Sequence, residues 1–399
     1  MYICIYVYIS NLKSDICAAE LSQAGWSVLV IEKGNYYHES ELTSHVPTEY
    51  KNIYLQGGSF ANCKGDINVF EGSTFGSATV ISFLDSLKFS DNLDKVYKRI
   101  GATTEGIKHI IPNRILIDGC NRKSHEYDWC LTGCKDGIKN GTSTSWLRTA
   151  AQNGAHLVGQ AKFNRAIIVD GNATGVEFRI NNSDQIIRLN SFRTVISAGS
   201  LRTQEVLFKS GLKDKSIGQN LRFHPLMVAY GFFDNSQTNP FEGSIMIAIS
   251  GSIENLYGEY YRSKLVVLHH TTDIFIFGTS WQGQKEHKEA ILKFRQSSSV
   301  PALVRDKDSK ENVGYKKDDK ISISYEISKI VLRNNSYCRM GVSPDTSATK
   351  PTGDTWETRN LYVCNASLFA TTSGVNPIVT TEPIALHVAD SIIQTANLN

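Results

Sequence analysis

The sequence has no apolar run long enough to cross a bilayer. The N-terminal run from Met1 to Ile9 is much shorter than the roughly 18 residues that a transmembrane helix needs. It also lacks the basic start and the small-residue cleavage site of a signal peptide. We therefore predict that this run forms a buried parallel strand and that the protein is intracellular.

A large excess of charge of one sign is missing as well. The chain has 42 basic and 39 acidic residues, and its formal net charge is only +3. These charges are dispersed, which argues against a nucleic-acid partner. With 399 residues, of which 41% are hydrophobic, the chain can form two domains or one large α/β unit with an inserted lobe.

The eight cysteines include no CxxC pair with a matching second pair. Cys130 and Cys134 have helix-like spacing, but no second ligand pair follows them, so we predict that they pack and that the protein has no metal site. Several of the other cysteines lie in apolar segments. We expect reduced and mostly buried thiols.

Residues 1–34 predict a strand, a helix and a second strand. The helix is expected from Ser14 to Ala24, and the second strand from Trp26 to Ile31, closed by Glu32. This pattern is typical of the first half of a dinucleotide-binding fold, in which an acidic residue after the second strand accepts the ribose hydroxyls of adenosine. Glu32 is the candidate for that role, and a solvated glutamate at a strand end is the alternative.

The glycines that such a fold uses to bind pyrophosphate are missing. The G-x-G-x-x-G fingerprint would fall in Ile9 to Ser14, where no residue is glycine. Side chains there block close approach of the backbone and disfavour positive φ. We predict a turn too bulky for a tightly seated pyrophosphate, and an ordinary strand-to-helix loop is the alternative.

Four other segments carry a family resemblance. They are Glu71–Ala78, Arg193–Leu212 with the following Ile217–Pro225, Ser336–Gly341, and Leu361–Phe369 with the following Gly374–Pro377. In this order they resemble the glucose-methanol-choline (GMC) oxidoreductases, and within that superfamily the plant long-chain fatty alcohol oxidases. The resemblance covers about residues 17–395. It implies an α/β fold in which a Rossmann-like FAD-binding domain carries an antiparallel β-sheet substrate domain.

The resemblance also implies the domain limits. Residues 1–80, 141–225 and 335–399 would form the FAD-binding domain, residues 81–140 a connecting and lid segment, and residues 226–334 the substrate domain. Alternating apolar and polar residues predict antiparallel strands in the substrate domain. The predicted strands are Leu226–Phe233, Leu265–His270, Asp273–Phe277 and Ile321–Tyr325.

FAD is the cofactor that the resemblance implies, and it assigns eleven residues to the binding site. They are Glu32, Gly72, Ser73, Thr74, Gly76, Ala198, Gly199, Asn365, Ala366, Asn376 and Pro377. Several positions depart from the family pattern. Asn365 and Ala366 stand where the family has Asp-Gly, and Gln204 replaces a proline at a helix start.

The family oxidises primary alcohols by passing the hydroxyl proton to a histidine and hydride to the flavin, and its oxidases then reduce molecular oxygen. Asn376 matches the second active-site residue. Arg333, with Asn334 beside it, stands at the histidine position, and neither side chain accepts a proton near neutral pH. We expect His224 in a turn or the core, and His387 in a packing role.

Oxidation of long-chain alcohols is therefore the inherited function that the resemblance implies, with little turnover in this chain. The expected partners are a long-chain alcohol and oxygen, and membrane association is implied by the family only. Two alternatives stay open. One is an inactive paralogue or incomplete gene product, and the other is a lipid- or small-molecule-binding protein without redox activity.

Overall fold

The structure is a computed structural model. It describes residues 3–8, 14–43, 45–61, 68–76, 95–96, 98–99, 141–181, 183–220, 222–240, 249–251, 254, 263–268, 271–272, 275–276, 279, 283–305, 312–316, 320–324, 330–335, 338–372 and 378–397.

The strands in chain order are β1 (Ile3–Tyr8), β2 (Ser27–Glu32), β3 (Tyr54–Ala61), β4 (Asn68–Gly72), β5 (His156–Val158), β6 (Ala161–Val169), β7 (Asn172–Ile180), β8 (Ile187–Asn190), β9 (Arg193–Ser197), β10 (Arg222–Phe232), β11 (Ile249–Ser250), β12 (Ser263–Val266), β13 (Ser297–Val304), β14 (Asn312–Lys316), β15 (Lys320–Ser324), β16 (Ile330–Asn335) and β17 (Leu361–Val363). The α-helices are α1 (Ser14–Gln23), α2 (Val46–Ile53), α3 (Trp146–Gln152), α4 (Gly199–Lys209), α5 (Gln284–Leu292) and α6 (Ile378–Asn397).

A parallel sheet in the order β17-β9-β1-β2-β5 forms the centre of the fold. Its strands are rich in Val and Ile, as expected for strands that are covered on both faces. The predicted strand-helix-strand unit is confirmed by β1, α1 and β2. The helix ends at Gln23 instead of Ala24, and the second strand runs through Glu32.

The main core lies where α1 packs between this sheet and the helices α3 and α6. Small and aliphatic side chains of α1, including Ile16, Ala18 and Leu21, have no exposed surface. From α6, Leu386 and Ile392 reach the same core. Alanines on α1 and α6 allow the two helices to approach closely. This close packing stabilises α1, whose own helix propensity is ordinary.

A second sheet, in the order β11-β12-β13-β10-β16, is antiparallel throughout. It confirms the predicted antiparallel sheet in this part of the chain. Smaller antiparallel units are formed by β3 with β4, by β6 to β8, and by β14 with β15. No helix within the described residues is long and apolar enough to span a membrane.

The predicted strand Asp273–Phe277 is wrong. Phe275 and Ile276 are helical, and the Phe275 N–H donates to the carbonyl of Thr271 at 3.1 Å. The Phe275 ring is fully buried against Tyr230, with ring centroids 4.9 Å apart. This tertiary packing overrides the strand-like alternation. Strand β13 was not predicted, because its Ser-Ser-Ser start and its internal proline do not follow a strand pattern.

Candidate functional site

The carboxyl ends of the central parallel strands meet at one edge of the sheet. In the last row of pairing, Tyr8 of β1 is opposite Glu32 of β2 on one side and Ser197 of β9 on the other. Since neighbouring strands are separated by roughly 4.8 Å, Glu32 and Ser197 have backbones about 10 Å apart. Two segments that carry predicted binding-site residues, the one that follows Glu32 and the one that follows Ser197, thus begin at the same edge of the sheet.

Glu32 ends β2 and is fully buried. Its Oε1 accepts a 2.6 Å hydrogen bond from the backbone N–H of Gly34. The alternative of a solvated glutamate at a strand end is therefore wrong. A buried carboxylate oriented by a backbone N–H is what the adenosine role in a dinucleotide fold needs.

The loop 72–76 lies directly against this strand end. Asn35 and Thr74 form a parallel bridge, and the Thr74 hydroxyl donates to the Asn35 carbonyl at 2.7 Å. A Cβ on Gly34 would come within 2.2 Å of the Ser73 carbonyl oxygen, so only glycine permits this approach. Gly72, Ser73, Thr74 and Gly76 are thereby brought beside Glu32. Gly76 also has φ +79°, a conformation that favours glycine.

On the other side of β1, the turns after β9 and β17 lie next to each other. The N–H of Cys364 donates to the Ile196 carbonyl at 2.9 Å, and the Ser197 hydroxyl donates to the Cys364 carbonyl. The structure therefore brings Ala198 and Gly199 close to Asn365 and Ala366. Gly199 starts α4 with φ +79°, a conformation that favours glycine.

The side chain of Asn365 binds the protein itself. Its Nδ2 donates to Thr203 Oγ1 at 2.6 Å, and its Oδ1 accepts from the Ser367 N–H at 2.8 Å. Asn365 has no exposed surface. It caps the short 3₁₀ helix Ala366–Leu368 and fastens it to α4. The amide therefore replaces the family's carboxylate with a group that holds the turn.

Asp15 is a residue that the sequence reasoning missed. It lies in the first turn of α1, has no exposed surface, and its Oδ2 accepts a 2.6 Å hydrogen bond from the Thr142 hydroxyl. Burial raises the pKa of its carboxyl to about 7, against weaker lowering effects of the bonds from Thr142 and Ser14. The sequence feature that could have identified Asp15 is an acidic residue at the start of the predicted helix, where a dinucleotide-binding fold binds phosphate.

Residues 141–145 join Asp15 to the loop 72–76. Thr142 donates a hydrogen bond to Asp15. The next residue, Ser143, lies against Gly76, because a Cβ added to Gly76 would be only 2.7 Å from the Cβ of Ser143. The start of α1, the loop 72–76 and the end of β2 are consequently parts of one region. Ile9 to Lys13, which form most of the predicted glycine-less turn, lie outside the described residues.

Strand β16 carries Arg333 and packs against both β4 and the 3₁₀ helix Ala366–Leu368. It thus connects β4, which leads into the loop 72–76, with the 3₁₀ helix that follows β17. The pairing of β16 with β10 is irregular between Phe223 and Pro225, so His224 stands opposite Leu332 and Arg333. Asn376 and Pro377 lie outside the described residues, as do Cys130 and Cys134.

The packing role predicted for His387 is wrong. It is exposed on α6, and its Nε2 lies 2.9 Å from the carbonyl oxygen of Pro351. Since a carbonyl only accepts, Nε2 donates and carries the proton. Cys17, Cys338 and Cys364, the cysteines whose side chains the structure describes, are buried and reduced, which confirms the expectation for these positions.

Comparison with protein families agrees with this arrangement. Residues 81–226 match one model of the GMC oxidoreductases, and residues 284–385 match a second. Together the two matches cover more than half of the chain. The chain belongs to the GMC oxidoreductase family. The unit formed by β1, α1 and β2, with its missing glycines, precedes the matched GMC regions.

Curated relatives of this GMC protein include two enzymes of Arabidopsis thaliana. It is 28% identical to long-chain-alcohol oxidase FAO4A, over 96% of this chain and 67% of the relative. Identity to long-chain-alcohol oxidase FAO1 is 24%, over 96% of this chain and 66% of the relative. The chain thus spans about two thirds of the length of these relatives.

Solved structures confirm the α/β GMC fold. Pyridoxine 4-oxidase from Mesorbium loti superposes with a TM-score of 0.69 at 12% identity, covering 97% of this chain and 98% of the other. A substituted formate oxidase from Aspergillus oryzae RIB40, solved for the effect on its FAD modification, has a TM-score of 0.71 at 11% identity. It covers 99% of this chain and 98% of the other.

In this GMC protein, the described residues favour binding of one part of FAD and disfavour binding of another part. At the adenosine end, the buried Glu32 carboxylate is fixed by the Gly34 N–H beside the glycine-bearing loop. At the start of α1, where the diphosphate of a dinucleotide binds, the buried carboxyl of Asp15 brings a group that becomes anionic near neutral pH. The described residues therefore support recognition of the nucleoside better than binding of the diphosphate.

Proposed function

We propose that this GMC oxidoreductase is of the long-chain-alcohol oxidase type, that it binds FAD weakly, and that it turns over alcohols far more slowly than a complete relative. One observation carries the proposal. Glu32 and Ser197 flank β1 at the carboxyl edge of the parallel sheet, and the loop 72–76 packs on the same edge. A nucleotide-flavin site is assembled at such an edge.

Glu32 is the residue that would bind the adenosine ribose. Backbone N–H groups of the loop 72–76 and of the turn Ser197–Gly199 would face the rest of the cofactor, because small residues there allow close approach. Asn365 would hold the turn after β17 through Thr203 and Ser367. FAD, when bound, supplies the acceptor for the hydride that leaves the alcohol.

Slow turnover follows from the residue at the base position. Arg333 carries a guanidinium that stays protonated at any physiological pH, so it stabilises an alkoxide but accepts no proton from the alcohol. Loss of a general base alone lowers the rate by roughly 10² to 10⁴. Asn376, the second candidate catalytic residue, orients by hydrogen bonding and does not replace the base.

The proposed substrates are a long-chain primary alcohol and molecular oxygen. Support comes from the similarity to two Arabidopsis long-chain-alcohol oxidases over most of this chain. We also propose membrane association on the basis of the family resemblance alone. The substrate would approach over the second sheet, whose strand β16 reaches the turn after β17.

An absorbance scan of purified protein after incubation with FAD and gel filtration tests the cofactor, since bound oxidised flavin is yellow. We expect partial occupancy in the wild type and none in Glu32→Gln. Glu289→Gln is the matched control, because Glu289 is 62% exposed on α5. Equal flavin content in wild type and Glu32→Gln contradicts the assigned role of Glu32. No flavin in any sample at saturating FAD contradicts the proposed function.

Binding of a lipid or small molecule without redox activity is the second candidate. The buried carboxyl of Asp15 at the phosphate-binding end of α1 favours it over an active oxidase. A colourless protein that retains a fatty alcohol in native mass spectrometry supports this candidate. A flavin-loaded protein that releases hydrogen peroxide with the same alcohol supports the oxidase.

A further inference from the structure

Two thiols from opposite ends of the sequence meet in the core. The Sγ atoms of Cys17 and Cys364 are 3.1 Å apart, although the residues are separated by 347 positions. Both side chains have no exposed surface. The candidate cofactor site uses neither sulfur, so the pair needs an explanation of its own.

The backbones on both sides of this contact are held by the central fold. Cys17 lies in α1, and its Sγ donates to the Ala385 carbonyl of α6 at 3.2 Å. Cys364 follows β17, and its N–H donates to the Ile196 carbonyl of β9 at 2.9 Å. A disulfide has an S–S distance of about 2.05 Å, so the two sulfurs must approach by about 1 Å to form one.

Cys338 offers a contrast within the same core. It is also fully buried, and burial raises the pKa of its thiol to about 12. Its backbone N–H donates to the Ser367 carbonyl at 3.0 Å, and the Ser367 side chain contacts its sulfur. A thiol held in this way is unreactive alone, because the thiolate is the nucleophile. Burial is therefore shared by all three cysteines, whereas the short sulfur–sulfur distance is specific to Cys17 and Cys364.

We propose that Cys17 and Cys364 form a reversible intramolecular disulfide that fastens α1 to the turn after β17. With hydrogen peroxide as the oxidant, one sulfur attacks the O–O bond, forming a sulfenic acid and releasing water. The second sulfur then displaces water from the first and the S–S bond forms. Two thiols lose two protons and two electrons in total, and peroxide is reduced to two waters.

The cross-link would join two parts of the candidate site. The first turn of α1 carries Asp15 at the phosphate-binding end, and Cys364 directly precedes Asn365. Because the bond closes a loop that includes most of the chain, it restricts the unfolded state strongly and raises the thermal stability. The proposal does not rest on FAD binding or on alcohol oxidation.

Trypsin separates Cys17, Cys338 and Cys364 into different peptides. Cleavage after Lys13 and Lys33 gives residues 14–33 with Cys17, and cleavage after Arg359 gives residues 360–399 with Cys364. Residues 334–339 contain Cys338 alone. The full chain is treated with hydrogen peroxide or left reduced, denatured in the presence of iodoacetamide, digested and analysed by mass spectrometry without reductant.

We expect a linked peptide of residues 14–33 and 360–399 after peroxide, which dithiothreitol removes. We also expect a rise in Tm of at least about 5 °C in the oxidised wild type. Cys338→Ala keeps both effects, and Cys17→Ala loses both. Alkylated Cys17 and Cys364 after peroxide treatment of the wild type overturn the proposal, as does a link from either residue to another cysteine. The wild-type digest decides the question even where a variant folds poorly.

Discussion

The hydroxyl of Thr142 donates a 2.6 Å hydrogen bond to the buried carboxyl of Asp15 across 127 positions of sequence. Asp15 stands at the start of α1, and Thr142 belongs to the loop that also lies against Gly76. The contact places an ionisable group in the first turn of α1, directly after the segment where a dinucleotide fold has its glycines and binds phosphate.

Replacing Asp15 by Asn changes how stability depends on pH. Burial raises the pKa of Asp15 from 3.8 to about 7 in the folded protein. The folded state therefore favours the protonated acid, and stability falls as the pH rises from about 4 to about 7. The predicted loss is about 4 kcal/mol for this one carboxyl. We expect Asp15→Asn to be the more stable protein at pH 8 and to show little advantage at pH 4.

Urea unfolding at pH 4, 6 and 8 measures this effect. Glu20 on the same helix also has a raised pKa, mainly through burial and then through the nearby Asp390, so the wild type loses further stability in the same direction. The difference between wild type and Asp15→Asn isolates Asp15, because the variant keeps Glu20. Asp184→Asn is the control, since Asp184 is fully exposed. A difference between wild type and Asp15→Asn that does not change with pH contradicts the prediction.

The same substitution tests the phosphate end of the proposed FAD site. Above pH 7 the ionised Asp15 repels a diphosphate, and at pH 6 the neutral acid does so much less. We expect Asp15→Asn and Asp15→Gly to bind FAD roughly tenfold more tightly than the wild type at pH 8. Titration of flavin fluorescence at pH 6 and pH 8 is the measurement. Wild-type affinity that is equal at both pH values would show that Asp15 does not face the diphosphate.

Gln204 in α4 is a further departure with a measurable cost. Its side chain is 1% exposed, and among the described residues neither its amide oxygen nor its amide nitrogen has a hydrogen-bond partner. Burying an unsatisfied polar group costs about 1 to 3 kcal/mol. We expect Gln204→Leu to raise the free energy of unfolding by that amount in urea titrations. Gln185→Leu, at an exposed position, is the control. An equal rise in the free energy of unfolding in this control would show that the buried amide of Gln204 is not the cause.

Local sequence pattern predicted the elements that a short segment determines. The apolar start, the helix and the strand ending at Glu32 follow from residue periodicity, and the Ala198–Gly199 turn follows from a glycine that needs positive φ. The burial of Glu32 beside the loop 72–76 and the Asp15–Thr142 contact depend on segments that are distant in sequence. The same holds for Phe275, whose helical turn is set by the aromatic side chains that surround it.

Restoring a histidine near Arg333 is the most direct test of the catalytic proposal. Strand β16, which carries Arg333, contacts both β4 and the 3₁₀ helix Ala366–Leu368. We expect Arg333→His or Asn334→His to raise hydrogen peroxide release with a long-chain primary alcohol, by up to roughly 10² to 10⁴. The rate should increase with pH through the histidine pKa, near 6.5, because only the neutral imidazole accepts the proton.

Each variant serves as the control for the other, because both add a histidine and only one occupies the base position. Flavin content is measured on every sample, so that rates are expressed per bound cofactor. His224→Ala is added because His224 stands opposite Arg333 in the pairing of β10 with β16. Wild-type turnover equal to that of a complete relative, abolished by His224→Ala, would refute the loss of the base and transfer its role to His224. If both histidine variants bind flavin but neither turns over the alcohol, the rest of the site has lost its function too.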